Sequence, residues 1–497
     1  MDSKYKDATL GEVDAAVQDS WRAFEVYRRK TLAERAGFLR TIAGHLEKES
    51  EALLQAAHRE THLDIPRLKV ELKRTLFQLT SYADACAAGT WLDIRIDTAD
   101  SLRNPPKPDL RKMLIPLGPV VVFGASNFPF AYSTVGGDTA CALAAGCPVI
   151  IKAHPAHAET SEMVAVAVRR AAVEHGMPSG IFHHLHGRSF EVGKALVQHP
   201  LVRAVGFTGS YEGGQALFDL ANEREHPIPV FAEMGSTNPV FLMPQKLKAE
   251  KEKVADLYAA SITQSVGQFC TNPGIMVGVE GEDLDAFLEL LGNKIEQTRP
   301  ARMLHSGIAK SFHQKRILAL EQEHVTLVAQ TSFEYTGDES IPTLATTTAG
   351  EFLSNPLLHK EVFGPYSLLV RCTGLEEMLQ VAKAMDGQLT ATIMATPQEA
   401  AQSGELIDAL HHICGRLVMN GVPTGVEVAL AMHHGGPYPA TTDSRFTAVG
   451  ADGIKRFARP ICYQGWANDM LPPELRNENP LGLWRTVNNA LTREPAL

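Results

Sequence analysis

Residues 118–130 read GPVVVFGASNFPF, a short β-branched run closed by a loop of Gly, Ser, Asn and Pro. A run of four to eight apolar residues bounded by turn signals predicts a buried strand, here 119–123. A small-residue helix follows over 133–145, then an apolar strand over 148–152 and a helix over 159–174. A third strand is expected over 201–207, broken by Thr208 and Gly209, with a helix from about Glu212. Strand alternating with helix predicts a parallel sheet covered on both faces. Ligands of such sheets sit at the carboxyl ends of the strands, so Asn127, Lys152 and Gly209 are expected along one crevice.

The first ninety residues read as helices. Thr9 with Glu12, and Thr31 with Glu34, match the capping box, in which each side chain satisfies a free backbone N–H. Val13, Val17, Trp21 and Phe24 then share one helical face, as do Leu32, Ala36, Leu39, Ala43 and Leu46. Two extended stretches, 91–97 and 110–116, flank the Pro-rich residues 104–108 and suggest a protruding hairpin. A second alternating set begins near Asn238, with a strand over 239–242 and helices over 250–266 and 308–317. From Gly465 the chain is expected to be irregular before a short helix near Leu483.

Composition narrows the class. The chain has 497 residues, 44% apolar and 21% charged, with a net charge of −10. That much apolar side chain builds a large core and excludes disorder as the main state. The acidic balance argues against a nucleic-acid backbone or an anionic membrane as partner. No apolar window is long enough to span a bilayer, and residues 1–7 lack the apolar core of a secretory signal. The 7 cysteines form no C-x-x-C pair, which points to a reducing cytoplasm rather than a disulfide framework or a cysteine zinc site.

Several motifs fail. No G-x-G-x-x-G follows a strand. Residues 187–194 imitate a phosphate loop, but Ala195 stands where Ser or Thr is needed. His183, His184 and His186 do not have the H-E-x-x-H spacing of a zinc helix and are expected at the surface, as are the pairs His411–His412 and His433–His434.

Three residues could carry chemistry. Cys270 lies in QSVGQFCTNPG (264–274), between a Gly-containing turn and Thr-Asn-Pro-Gly. A thiol is mostly protonated at neutral pH, so a nucleophile there needs activation. Glu233 ends an apolar stretch in FAEMGSTNP (231–239) and could serve as a general base if burial raises its pKa. Asn127 is a neutral donor just after a strand. Taken alone, Cys270 reads more readily as a structural thiol, Glu233 as a solvated loop charge and Asn127 as a turn residue.

Together they resemble the aldehyde dehydrogenase superfamily, over nearly the whole chain and in the family's order. The resemblance rests on Asn127-Phe128-Pro129, Lys152, Phe207-Thr208-Gly209-Ser210, Glu233-Met234-Gly235, Gly267-Gln268-Phe269-Cys270 and Glu361-Val362-Phe363-Gly364-Pro365. It implies an α/β fold with two parallel-sheet Rossmann-type domains and a β-hairpin oligomerisation flap. On that reading 1–90 with 117–237 form the dinucleotide-binding domain and 238–435 the catalytic domain. Residues 91–116 with 455–464 form the flap, and 465–497 a tail. The resemblance also implies roles: Cys270 as nucleophile, Glu233 as activator of the hydrolytic water, and Asn127 with the Cys270 N–H as oxyanion donors. Gly209 and Ser210 at a helix start would hold the pyrophosphate, and Glu361 the nicotinamide ribose, flanked by Phe363. No metal is implied.

Relatives preferring NAD usually carry Lys-Pro-x-Glu, whose acid would repel a 2′-phosphate. Here Pro155 takes the place of that acid, so NADP is expected, with NAD possible. Lys152 supplies one cation, and Arg188 is a candidate second clamp because guanidinium binds phosphate through two N–H groups. Residues 152–157, 267–274, 420–427, 434–441 and 456–464 resemble one branch, the NADP-dependent α-ketoglutaric semialdehyde (2,5-dioxovalerate) dehydrogenases. The implied substrate is a small-molecule aldehyde. Aliphatic aldehydes, or a non-catalytic binding role on the same scaffold, are the alternatives. A lone hairpin is marginal in water, so a homodimer or homotetramer is expected.

Overall fold

A computed structural model of the chain describes residues 4–496. Both capping boxes form, on helices Leu10–Tyr27 and Leu32–Lys48. Helices Ser50–Thr61 and Ile65–Ala88 complete the N-terminal layer, and Leu39, Leu46, Leu72 and Tyr82 bury in the same core as Val120 and Ile151.

The first parallel sheet has strands β3 (Val120–Phe123), β4 (Val149–Lys152), β5 (Phe182–Leu185), β6 (Ala204–Thr208) and β7 (Val230–Glu233), in the order β5-β4-β3-β6-β7. The helix after β3 is shorter than expected, Gly137–Ala145, because residues 126–136 form turns that carry the Asn127 loop. The second sheet holds β8 (Val240–Leu242), β9 (Ile275–Val279), β10 (Thr326–Gln330), β11 (Thr343–Thr348), β12 (Tyr366–Cys372), β13 (Gln388–Met394) and β14 (Cys414–Met419). Its order is β10-β11-β12-β9-β8-β13-β14, parallel except for the β10–β11 pair. The helix after β8 starts earlier than expected, Pro244–Thr263, with Pro at the first turn, where no N–H is needed.

A third sheet combines β1 (Arg95–Asp97) and β2 (Leu110–Pro116) with β15 (Ala458–Gln464) in the order β15-β2-β1-β16-β17. Its last two strands, β16 (Arg485–Val487) and β17 (Ala490–Thr492), correct the expectation for the tail. No helix forms near Leu483. Instead β16 pairs in parallel with β1, while Arg485 is buried and donates to the Arg476, Asn477 and Glu494 carbonyls. Among the described residues, no helix is long and apolar enough to cross a membrane.

Candidate active site

Asn127 follows β3, Lys152 ends β4 and Gly209 follows β6, so all three lie at the carboxyl edge of the first sheet. Glu233 is the last residue of β7 and is only 4% exposed. Cys270 follows a tight turn in which Ser265, Val266 and Gly267 all have positive φ (47°, 63° and 64°). A Cβ on Gly267 would meet the Gly364 carbonyl carbon at 2.4 Å, so glycine is required where the thiol loop crosses the Glu361–Pro365 segment.

These elements converge. The sulfur of Cys270, a carboxylate oxygen of Glu233 and a ring nitrogen of His434 all lie within 4.8 Å of one another. The Asn127 Nδ2 donates to the Gln268 carbonyl at 3.1 Å, two residues from the thiol. The Phe128 and Phe269 rings meet edge-on at 5.5 Å and wall the same space.

His434 corrects the surface expectation. Its side chain is fully buried, with Nε2 3.0 Å from the Glu233 carboxylate. The chain returns across β7 here: Met234 donates to the Ala440 carbonyl and Ala448 to that of His434. The other histidine cluster also differs from expectation. His184 on β5 is buried against Glu162 at 3.0 Å, and His183 and His186 are only partly exposed, paired with Asp19 and Glu162. Only His411 and His412 are exposed as expected.

Electrostatics set the resting state. Burial pushes the Cys270 thiol well above its usual range, and the Glu233 charge adds to the effect. The resting residue is therefore a thiol. Burial also pushes Glu233 up, but the charge and hydrogen bond of His434 outweigh it and hold the carboxyl below its ordinary value. The raised Glu233 pKa expected from burial is absent for that reason. For Glu361 burial outweighs the field of Lys315 and pushes the carboxyl up to about 7.

The residues expected to hold a dinucleotide fit one. Ser210 caps the helix Tyr211–Asn222, accepting from the Gly213 N–H, and the start of that helix faces the sheet edge. Glu361 is a partly buried carboxylate whose one backbone donor, Ser236 N–H, is distant at 3.5 Å, so it retains acceptor capacity for a pair of ribose hydroxyls. A Cβ on Gly235 would lie 2.7 Å from Glu361, so glycine makes room for it. Phe363, Glu361, Phe269 and Asn272 line one cleft of about 340 Å³. Lys152 is mostly buried, and burial lowers its pKa. The Arg188 backbone N–H donates to Asp7, and the charge of that carboxylate also reaches Lys152. Asp7 therefore links the Arg188 backbone to the neighbourhood of Lys152.

Three further residues belong to the site and were not found by motif. Asn238 donates to the Cys270 carbonyl. Arg74 and Arg416 are cations whose fields reach the Cys270 sulfur. Each of these arginines keeps a buried Nε without a hydrogen-bond partner. Arg74 comes from the helix Ile65–Ala88 and donates to the Tyr132 hydroxyl at 3.3 Å. Arg416 comes from β14.

Two parallel α/β sheets that bring a partly buried thiol, a carboxylate and an amide to their shared edge describe an oxidoreductase of the aldehyde-oxidising kind. The aldehyde dehydrogenase family model matches residues 3–453, and the chain belongs to that family. It is 46% identical over 479 residues to alpha-ketoglutaric semialdehyde dehydrogenase 2 of Azospirillum brasilense, covering 96% of this chain and 91% of that protein. It is 44% identical to the alpha-ketoglutaric semialdehyde dehydrogenase of Acinetobacter baylyi, covering 98% and 93%. The fold is shared with 1-pyrroline-5-carboxylate dehydrogenase from Thermus with bound NAD, at a TM-score of 0.77 and 20% identity, covering 92% of this chain and 86% of that one. The protein is therefore an NAD(P)-dependent aldehyde dehydrogenase.

Proposed function

We propose that this enzyme oxidises α-ketoglutaric semialdehyde to α-ketoglutarate, with NADP as the oxidant. The observation that carries the substrate is the pair Arg74 and Arg416, cations near the thiol with spare buried N–H groups. A partly buried guanidinium whose Nε–H has no partner favours an anion, and the carboxylate of a keto-acid aldehyde supplies one. An aliphatic aldehyde supplies none.

In the reaction the Cys270 sulfur attacks the aldehyde carbon. The oxyanion that forms is held by the Cys270 N–H and by the Asn127 amide, which turns to it from the Gln268 carbonyl. Losing one such donor costs about 3–4 kcal/mol in the barrier. A bound NADP, which Lys152, Gly209, Ser210 and Glu361 would hold, would supply the hydride acceptor, so that the substrate carbon is left as a thioester on Cys270. Glu233 then takes a proton from the water that attacks the thioester, releasing the carboxylate product and the sulfur. For the cofactor, Pro155 in place of an acid, together with Lys152 and Arg188, supports a 2′-phosphate. The β15-β2-β1-β16-β17 sheet is our candidate for the surface that joins subunits, and sedimentation of the purified protein tests it.

A substrate panel tests the reading. With NADP, α-ketoglutaric semialdehyde should give a far higher kcat/KM than hexanal. Arg74→Gln should raise KM for the keto acid about tenfold or more while leaving hexanal nearly unchanged, one lost charge-assisted contact being worth about 1.5–3 kcal/mol. Equal loss for both aldehydes would overturn the carboxylate role. No reduced cofactor with any aldehyde would favour a non-catalytic scaffold.

A further inference from the structure

His434 is the one titratable side chain beside the thiol whose part in the chemistry the preceding steps leave open. Its two ring nitrogens are unequal. Nδ1 is buried and has no hydrogen-bond partner. Nε2 lies 3.0 Å from Glu233 Oε1 and 3.8 Å from Cys270 Sγ. In a relay triad each ring nitrogen serves one partner. Here a single nitrogen faces both, so one N–H can serve only one of them at full strength.

The ring is fixed in place. The His434 N–H donates to Thr447 Oγ1 at 2.8 Å, and its carbonyl accepts from Ala448. The Tyr132 ring packs 6.4 Å away. Arg456 bears on Glu233 from the far side, while Glu361 and Arg74 bear on the sulfur. Arg416 faces the thiol from β14, and the neighbouring His433 is only partly buried.

We propose that His434 is a shared donor, whose Nε2–H serves the Glu233 carboxylate in the resting enzyme and the Cys270 sulfur when the thiolate forms. The inference rests on Cys270 being the nucleophile but not on the identity of the aldehyde. The thiol proton passes to Glu233: an S–H bond breaks, an O–H bond forms, and no electrons leave the site. Neutral Glu233 is a weaker acceptor, so the imidazole N–H turns to the thiolate. The sulfur lone pair then makes the C–S bond, and the carbonyl π pair becomes the oxyanion. Glu233 loses its proton to solvent before hydrolysis, which restores the carboxylate that accepts the water proton.

The test is the pH profile of iodoacetamide labelling of Cys270 in the full-length enzyme, with the site read by peptide mass mapping and the fold checked by cofactor binding. His434→Phe removes the donor and should move the midpoint up by about one pH unit, a ~tenfold fall in labelling below it. His434→Gln retains an N–H and should restore most of the shift. His434→Asn is too short to reach the sulfur and should behave as His434→Phe, which covers failure of the ring variant to fold. An unmoved midpoint in a folded variant, or slower labelling by the same factor at every pH, overturns the shared-donor role. Inactivation with Cys270 unlabelled overturns the nucleophile assignment and this inference with it.

Discussion

The Asn238 side-chain amide donates to the carbonyls of Cys270 and Asn272, each at 2.9 Å, so the nucleophile loop hangs from the residue that opens the second sheet. Asn238 is buried at φ 49°, a left-handed conformation that asparagine tolerates better than most residues. Its Oδ1 also accepts from Thr390. Asn238→Ala would leave several buried groups unpaired, at about 1–3 kcal/mol each. The variant should lose at least ~3 kcal/mol in urea unfolding and most of its kcat. A wild-type midpoint with full activity would show that the loop is held by something else.

Glu361 makes cofactor-free stability depend on pH. Its folded pKa is raised to about 7 by burial, from 4.5. A carboxyl raised on folding favours the folded state below its unfolded pKa, and that advantage is lost as pH rises through the folded value. The full difference is on the order of 3 kcal/mol. Glu361→Gln cannot ionise, so its stability relative to wild type should improve steadily between pH 5 and 8. Urea titrations at both ends measure this, and parallel curves would mean that Glu361 is solvated in the free enzyme.

Glu233→Gln separates the two half-reactions. An amide there can take the proton neither of the thiol nor of water, so a slowed first equivalent of reduced cofactor per active site should be followed by no turnover. Rapid mixing with absorbance detection reads the burst. A burst at the wild-type rate would show that the thiol proton goes to another acceptor. A variant that turns over would remove it from hydrolysis.

Cofactor choice should respond to Lys152 and Arg188. Lys152→Ala and Arg188→Ala should each weaken NADP binding about tenfold or more, with a much smaller effect on NAD, because a lost charge-assisted phosphate contact is worth about 1.5–3 kcal/mol. Fluorescence titration with both dinucleotides checks it. Asp7, held by the Arg188 and Ser189 N–H groups, must tolerate or yield to a phosphate, so Asp7→Asn should tighten NADP. Equal losses for both cofactors would assign the cations to the shared part of the molecule.

Much of this arrangement was legible before the structure because its signals are local. The β-branched runs before Asn127 and Lys152 are strands for reasons confined to a few residues, and both capping boxes form as read. Cys270 and Glu361 stand within motifs whose glycines are needed for close crossings. His434 was missed because nothing near it marks burial: its partner Glu233 is 201 residues away, and the contact depends on a returning loop. Arg74 was missed for a related reason, since it lies on the outermost helical layer by sequence and reaches the site only through packing against Tyr132. The tail read as irregular because each strand is only 3 residues long. Such strands are stable only as additions to a sheet already present.

The parallel pairing of β16 with β1 has a consequence for biosynthesis. A sheet begun at Arg95 acquires its fourth and fifth strands only from residues 485–492, so the nascent chain must carry an incomplete edge until those residues are made. Emergence of residues 485–492, rather than of either parallel-sheet region, is the event that completes this sheet. Truncations or stalled chains ending before Arg485 should expose that edge and aggregate.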